Sequence, residues 1–261
     1  MIERITIHGG RMKDGRPEPV SRVDLAMGEM VSIVGPTGSG KTTLINDLEL
    51  FANRNTPTGR QVLIDGCLPD GDACSDPASN PIALITQHTS FLSDLPVDVF
   101  LGIHARVRNT DATSADDRVR RTLAFANELT GEPIIPGSRM TELSGGQTRA
   151  LLLADAAVIC STPIVLLDEV ENAGIHRQRA LERLREHRKL FLFVTHDPRI
   201  VLLSDCRIVM RNGGMIRFLR TTEAERQLST EVNRMDDALT RLRDRIRQGD
   251  GLGADGLETP A

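Results

Sequence analysis

The sequence predicts an α/β chain with a mostly parallel sheet core, an antiparallel β edge and an inserted α-helical lobe. Three observations carry that prediction. A continuous apolar run, Met30-Val31-Ser32-Ile33-Val34, leads directly into Gly35-Pro36-Thr37-Gly38-Ser39-Gly40-Lys41-Thr42 and then into helical spacing. Short apolar runs ending near Thr86, Leu167, Val194 and Arg211 alternate with helical segments, as a parallel sheet with crossovers requires. From Val97 to Leu129 helical patterning continues without a strand, which marks the lobe.

In chain order, residues 1 to 34 read as two or three short strands with turns at Gly9-Gly10 and Asp14-Gly15. Thr42 to Leu50 places Leu44, Ile45 and Leu48 on one side of a helix, so the glycine loop lies between a strand and a helix and gives the core a P-loop NTPase type. Strands follow at Gln61 to Ile64 and Ile82 to Thr86, with an aperiodic Gly, Asp, Pro and Ser loop from about 66 to 81. Turn residues near Asn109 to Ser114 and Gly131 to Gly137 punctuate the helical region. Helices are expected at Gly146 to Ile159 and Gln178 to His187, and strands at Ile164 to Leu167, Leu190 to Val194 and Arg207 to Arg211. After Thr222 and Glu225, a capping-box pair, Leu228, Val232, Met235, Leu239, Leu242 and Ile246 recur at steps of four and three until Gly249. Such a stripe more often packs on its own domain than it forms a zipper. The chain therefore divides into a domain over 1–220, with its lobe at about 97–145, a C-terminal helix over 221–248 and a tail over 249–261.

Composition narrows the function. The sequence holds 32 Lys and Arg against 36 Asp and Glu, so no strong positive field is available to neutralise nucleic-acid phosphates. Direct nucleic-acid binding is not expected. The longest apolar stretches are too short to span a bilayer, and the start lacks a charged segment followed by an apolar run, which predicts a cytoplasmic chain with access to the inner face of the membrane. Cys67, Cys74, Cys160 and Cys206 form no C-x-x-C pair and read as reduced thiols.

The glycines at 35, 38 and 40 allow backbone conformations and close approaches that a Cβ blocks, so successive N–H groups can face a phosphate. Lys41 can reach β and γ oxygens, and the Thr42 hydroxyl can ligate Mg²⁺, with Thr43 beside it in the same helix start. Asp168 and Glu169 close the apolar run Ile164-Val165-Leu166-Leu167, which carries two carboxylates to a sheet edge where ligands bind. Leu143-Ser144-Gly145-Gly146-Gln147 reads as a helix N-terminus, with Ser144 as cap and the following amides turned to an anion.

Taken together, these segments resemble the ATP-binding cassette (ABC) ATPase family over most of the first 220 residues. The resemblance implies ATP and Mg²⁺ as cofactors, held by Gly35 to Thr43, with Asp168 holding the metal through water and Glu169 polarising the attacking water. It implies that Ser144, Gly145, Gly146 and Gln147 contact the γ-phosphate bound by another protomer, in a head-to-tail homodimer or heterodimer. Gln87, after the strand ending at Thr86, resembles the glutamine that contacts Mg²⁺ and water. His196, after Phe191-Leu192-Phe193-Val194-Thr195, resembles the switch histidine of the γ-phosphate.

Two departures stand beside these matches. Residues 1 to 34 contain no Phe and the whole chain has no Tyr or Trp, so the aromatic that usually stacks on adenine is missing and Arg16, Met12 and His8 are the candidates near the base. After Glu169 the chain reads Val170-Glu171-Asn172-Ala173-Gly174-Ile175-His176, where the family usually has Pro-Thr and then an aspartate. The resemblance implies the ATPase subunit of a transporter with a separate transmembrane partner, which would dock between His88 and Arg108; Phe91, Leu92, Leu95, Val97, Val99, Phe100 and Leu101 there are expected to be mostly lobe core. The alternative is a soluble ABC ATPase that remodels a protein.

Overall fold

In a computed structural model, the described residues are 2–69, 80–86, 93–108, 114–160, 162–168 and 182–249. Gln87, His88, Phe91, Leu92, Glu169 and the segment 170–176 lie outside them. The strands are β1 (Arg4–His8), β2 (Arg22–Ala26), β3 (Met30–Val34), β4 (Gln61–Ile64), β5 (Ile82–Ile85), β6 (Ile164–Asp168), β7 (Leu190–Val194), β8 (Cys206–Arg211) and β9 (Gly214–Arg220). The helices are α1 (Lys41–Glu49), α2 (Val97–Val107), α3 (Ala115–Leu129), α4 (Gly145–Val158), α5 (Pro198–Leu203) and α6 (Glu223–Gln248).

Two sheets form. A three-stranded antiparallel sheet runs β2-β1-β4, and a six-stranded sheet runs β5-β6-β7-β3-β8-β9, parallel except where β8 meets β9. Strand alternation divides the core in two. Met30, Val165, Leu167, Phe191 and Phe193 face the helical side, where α2, α3 and α4 pack. Val31, Ile33, Ile164, Leu166, Leu192 and Val194 face α1 and the antiparallel sheet. Each central strand is thus buried on both faces, which explains its unbroken apolar run.

The structure adds one strand to the sequence reading. β9 pairs antiparallel with β8 across Asn212 and Gly213, both at positive φ, 50° and 82°. That conformation is the one an Asn-Gly hairpin turn needs. The expected helix ending at His187 closes, in its described part, as a 3-10 turn over Leu184–His187, stopped by Arg188 in the left-handed region.

A buried ion cluster ties these layers together. Arg60 is fully buried; it donates to Glu18, to Asp47 Oδ2 at 2.8 Å and to the Gly213 carbonyl at 2.8 Å. Glu18 belongs to the β1–β2 loop, Asp47 to α1 and Gly213 to the β8–β9 hairpin. One guanidinium therefore anchors the helix that carries the glycine loop.

Candidate functional site

The parallel register brings the C-terminal ends of four strands to one edge. Ile33 and Asp168 both pair with Val194, and Ile85 pairs with Leu167, so the C-terminal ends of β3, β5, β6 and β7 lie side by side. In an open α/β sheet, ligands bind at this edge.

The loop after β3 shows why glycine is needed. Gly35 approaches β8 so closely that a Cβ would lie 2.3 Å from the Met210 carbonyl oxygen, and Gly40, at φ 100°, would press a Cβ on Gly213 at 2.9 Å. Lys41 is buried, and its Nζ donates to the carbonyls of Gly35 at 2.8 Å and Pro36 at 3.2 Å, so the amine points back into the loop. Helix α1 begins at Gly40 with no side-chain cap and no acidic residue in its first turn, leaving its dipole directed at the loop. Among the described residues the buried Ser39 hydroxyl has no hydrogen-bond partner. Thr37, Gly38, Gly40, Lys41, Thr42 and Thr43 line a cleft of about 240 Å³. Ammonium, backbone amides and a helix N-terminus suit an oxyanion such as a triphosphate.

Lys13 lines the same cleft, which the sequence reading did not foresee. Its Nζ donates to the Gly38 carbonyl at 2.9 Å and its backbone N–H to the Asn212 carbonyl at 2.9 Å. Met12 packs on Gly214 of the same hairpin, while Arg16 is held by Asp14 at 2.6 Å.

Asp168 closes β6, and His196 follows β7 in an exposed position. A turn places the histidine: Asp197 N–H donates to Thr195 Oγ1 at 2.9 Å, and Asp197 then caps α5 through the Arg199 N–H at 2.8 Å. His196 shares a second cleft, of about 530 Å³, with Gly35, Pro36, Arg207 and Glu225. The structure therefore brings His196 to the start of the glycine loop. The hard oxygen donors, the exposed Thr42 hydroxyl and the Asp168 carboxylate, sit at this edge and suit Mg²⁺.

Ser144 stands elsewhere. It caps α4, accepting the Gln147 N–H at 3.3 Å, while Gln147 Oε1 accepts the Ser144 N–H at 2.9 Å. Gln147 Nε2 reaches the Pro133 carbonyl at 3.1 Å, which leaves Ser144 and Gly145 exposed at a helix start. Helix α4 packs on α3 and on β5, three strands from β3, and among the described residues no hydrogen bond joins 144–147 to the glycine loop.

In sequence, the profile of the ABC transporter family matches residues 20–172. The chain belongs to the ABC transporter ATP-binding family. An uncharacterized ABC transporter ATP-binding protein of Methanocaldococcus jannaschii is 46% identical over 251 residues, covering 96% of this cassette and 95% of that protein. The ATP-dependent lipid A-core flippase of Burkholderia orbicola is 31% identical over 224 residues, which are 78% of this chain but 36% of the flippase. Among solved structures, a dimeric post-hydrolysis state of an ATP-binding cassette bound to ADP and Pi matches with a TM-score of 0.60 at 23% identity, covering 84% of this chain and 99% of that one. That last likeness is one of fold.

Within the cassette, the expected docking region resolves into two kinds of residue. Val97 and Leu101 are buried, and Phe100 packs partly on the core. Leu95 and Val99 are exposed, as are Ile103 and Val107, so Val99, Ile103 and Val107 form an apolar row one helical turn apart along α2.

Among the described residues, His104, Asp155 and Cys160 form one further group with donor atoms within 4.8 Å of one another. Asp155 is already shared by His104 Nδ1 at 2.9 Å and Cys160 Sγ at 3.7 Å. Lys189 donates to the Cys160 and Ala156 carbonyls at 2.5 Å each, so an ammonium faces the group and opposes a cation. Burial first, then Asp155, pushes the Cys160 thiol up to about 12. The group ties α2 to the end of α4.

Proposed function

We propose that this cassette binds Mg-ATP between two copies arranged head to tail, hydrolyses it, and works as the ATPase subunit of an ABC transporter whose membrane part is a separate chain. The observation that carries this reading is the convergence, at one sheet edge, of the glycine loop, Asp168 and His196, while Ser144 opens its helix start to solvent away from that edge. Gly35 to Thr43 hold the triphosphate through amides and Lys41, and Thr42, Gln87 and Asp168 hold Mg²⁺. The ion, when bound, neutralises charge on the β and γ oxygens.

Glu169, next after Asp168, takes the proton of the attacking water, and His196 steadies the γ-phosphate. Ser144, Gly145, Gly146 and Gln147 meet the γ-phosphate of the second copy, because among the described residues no hydrogen bond joins this helix start to the glycine loop of its own chain. The apolar row Val99, Ile103 and Val107 on α2 receives the membrane partner.

Two variants test the division of labour. Lys41→Ala loses nucleotide binding with turnover, whereas Glu169→Gln keeps ATP and loses about 10² to 10⁴ in rate. Wild-type turnover by Glu169→Gln sinks the assignment. In that trapped background, at a dilution where the nucleotide-free chain is a monomer, Mg-ATP drives dimerisation and Ser144→Arg prevents it, as light scattering reads directly. Recovery of the native complex in the membrane fraction separates transport from soluble remodelling.

A further inference from the structure

Helix α6 carries an apolar stripe that its own cassette leaves open. Leu228, Met235, Leu239 and Ile246 are 57%, 58%, 50% and 54% exposed. The helix is joined to the cassette at its first half, through Arg207 to Glu225 at 2.5 Å and Arg199 to Asp236, and it packs chiefly on α5. A helix with this pattern is incomplete alone, because amphipathic helices gain most of their stability from the surface that covers the apolar face.

Two features of the stripe say what covers it. First, Leu228, Val232, Met235, Leu239, Leu242 and Ile246 are spaced four, three, four, three and four residues apart, a pattern that reads the same in either direction. A second copy laid antiparallel about Asp237 sets Leu228 on Ile246, Val232 on Leu242 and Met235 on Leu239, each pair occurring twice. Second, the helix is divided by charge. Residues 223–237 hold five acidic residues against two arginines, and residues 238–248 hold four arginines against one aspartate. Reversal lays the acidic half of one helix along the basic half of the other.

The flanking position Glu231 then faces Arg245 of the second copy. Parallel pairing instead sets Glu231 beside the Asp236 of its partner on both sides of the seam with no arginine opposite, whereas antiparallel pairing brings together two acids only once, the two copies of Asp236, each of them held by Arg199. A lipid surface is a poorer occupant, since helices that lie on membranes enrich the polar face in Lys and Arg. Here acids and arginines balance at six each.

We infer that α6 pairs antiparallel with α6 of a second copy, giving the chain a contact between protomers that does not depend on nucleotide. The contact also reaches the site, because Arg199, which holds Asp236, holds Asp197 as well, next to His196.

The test uses the full chain in EDTA without nucleotide, so that an ATP-linked dimer cannot form and the function proposed above is not at stake. Sedimentation at about 100 μM should show a dimer that dissociates on dilution. Met235→Glu with Leu239→Glu should abolish it. Glu231→Arg should weaken it at least fivefold, and adding Arg245→Glu should restore it, an outcome that loss of folding cannot imitate. Mixing Glu231→Cys and Arg245→Cys proteins under mild oxidation should give a disulfide between those positions, mapped by mass spectrometry. A monomer in EDTA overturns the inference. So do a dimer that survives the double glutamate variant, a link between two copies of Glu231→Cys alone, or anionic vesicles that take up the chain through the same leucines.

Discussion

The Lys13 ammonium donates to the Gly38 carbonyl at 2.9 Å, so a residue of the β1–β2 loop rests on the tip of the phosphate loop. The Asn212 carbonyl holds the Lys13 backbone from the β8–β9 hairpin. That position makes Lys13 a second cation at the mouth of the cleft beside the buried Lys41.

The first prediction follows from that contact. A charge-assisted hydrogen bond at a partly solvated site contributes about 1 kcal/mol, or about fivefold in affinity. Lys13→Ala should weaken nucleotide triphosphate binding by that factor, and equally for ATP and GTP, with little change in melting temperature. Equilibrium binding with a fluorescent analogue measures it. Unchanged affinity would place the amine against the loop alone.

Arg60 supports the second. It meets Glu18 and Asp47 where all three are buried, and Thr58 Oγ1 adds a bond to Asp47 at 2.9 Å. Removing one partner of such a cluster leaves uncompensated buried charge and costs about 3 to 5 kcal/mol. Arg60→Met should lose that much in denaturant unfolding. Because Asp47 lies on α1, nucleotide affinity should fall with it. A loss under about 1 kcal/mol would mean that water enters and screens the two acids.

How far the sequence discloses this molecule depends on the reach of each contact. The glycine loop, the Ser144 cap and the Thr222 to Glu225 box are legible because each is a local arrangement within a few residues, and local geometry is what residue type encodes. β9 is legible as well, through Asn212-Gly213, but the turn is easily passed over after a strand that already closes the parallel pattern. Arg60 and Lys13 are a different case. Their partners lie 42, 153 and 25 residues away, at Glu18, Gly213 and Gly38, so only the folded loops bring them together. The α6 stripe could be read but not its environment, because the spacing that packs on a domain also packs on another helix.

Lys189 gives a pH test. Burial lowers its pKa from 10.5 to about 8, with Cys160 and Asp155 opposing the shift. Between those two values the unfolded chain holds the proton more tightly than the folded one, so unfolding takes up protons and stability rises with pH. Cys160 acts in the opposite sense above 9.0, because the folded thiol keeps its proton until about 12. Relative to Lys189→Met, the wild-type chain should therefore gain stability from pH 8 to pH 9, and in a Cys160→Ser background the gain should continue to pH 10.5. Parallel lines for the two proteins across that window would show that the amine is solvated.

The last prediction concerns the base. ABC sites usually stack adenine on an aromatic ring, and stacking contributes about 1 kcal/mol, roughly fivefold in affinity. The β1–β2 loop of this chain contains no aromatic residue. Of the side chains in that loop, Met12 is packed against Gly214 and Arg16 is paired with Asp14, which leaves an aliphatic surface and a neutralised guanidinium instead of a ring. Met12 offers the base no strong hydrogen-bonding group and Asp14 already engages Arg16 Nε and Nη2, while Lys13, Lys41 and the loop amides act on the phosphates that both nucleotides share. Discrimination is strong only where a buried polar group is left unpaired by the wrong ligand. ATP and GTP should therefore bind within about an order of magnitude of each other at saturating Mg²⁺. Competition binding decides it: a preference for ATP above about a hundredfold would mean that a polar group outside this loop, or one supplied by a second chain, reads the base.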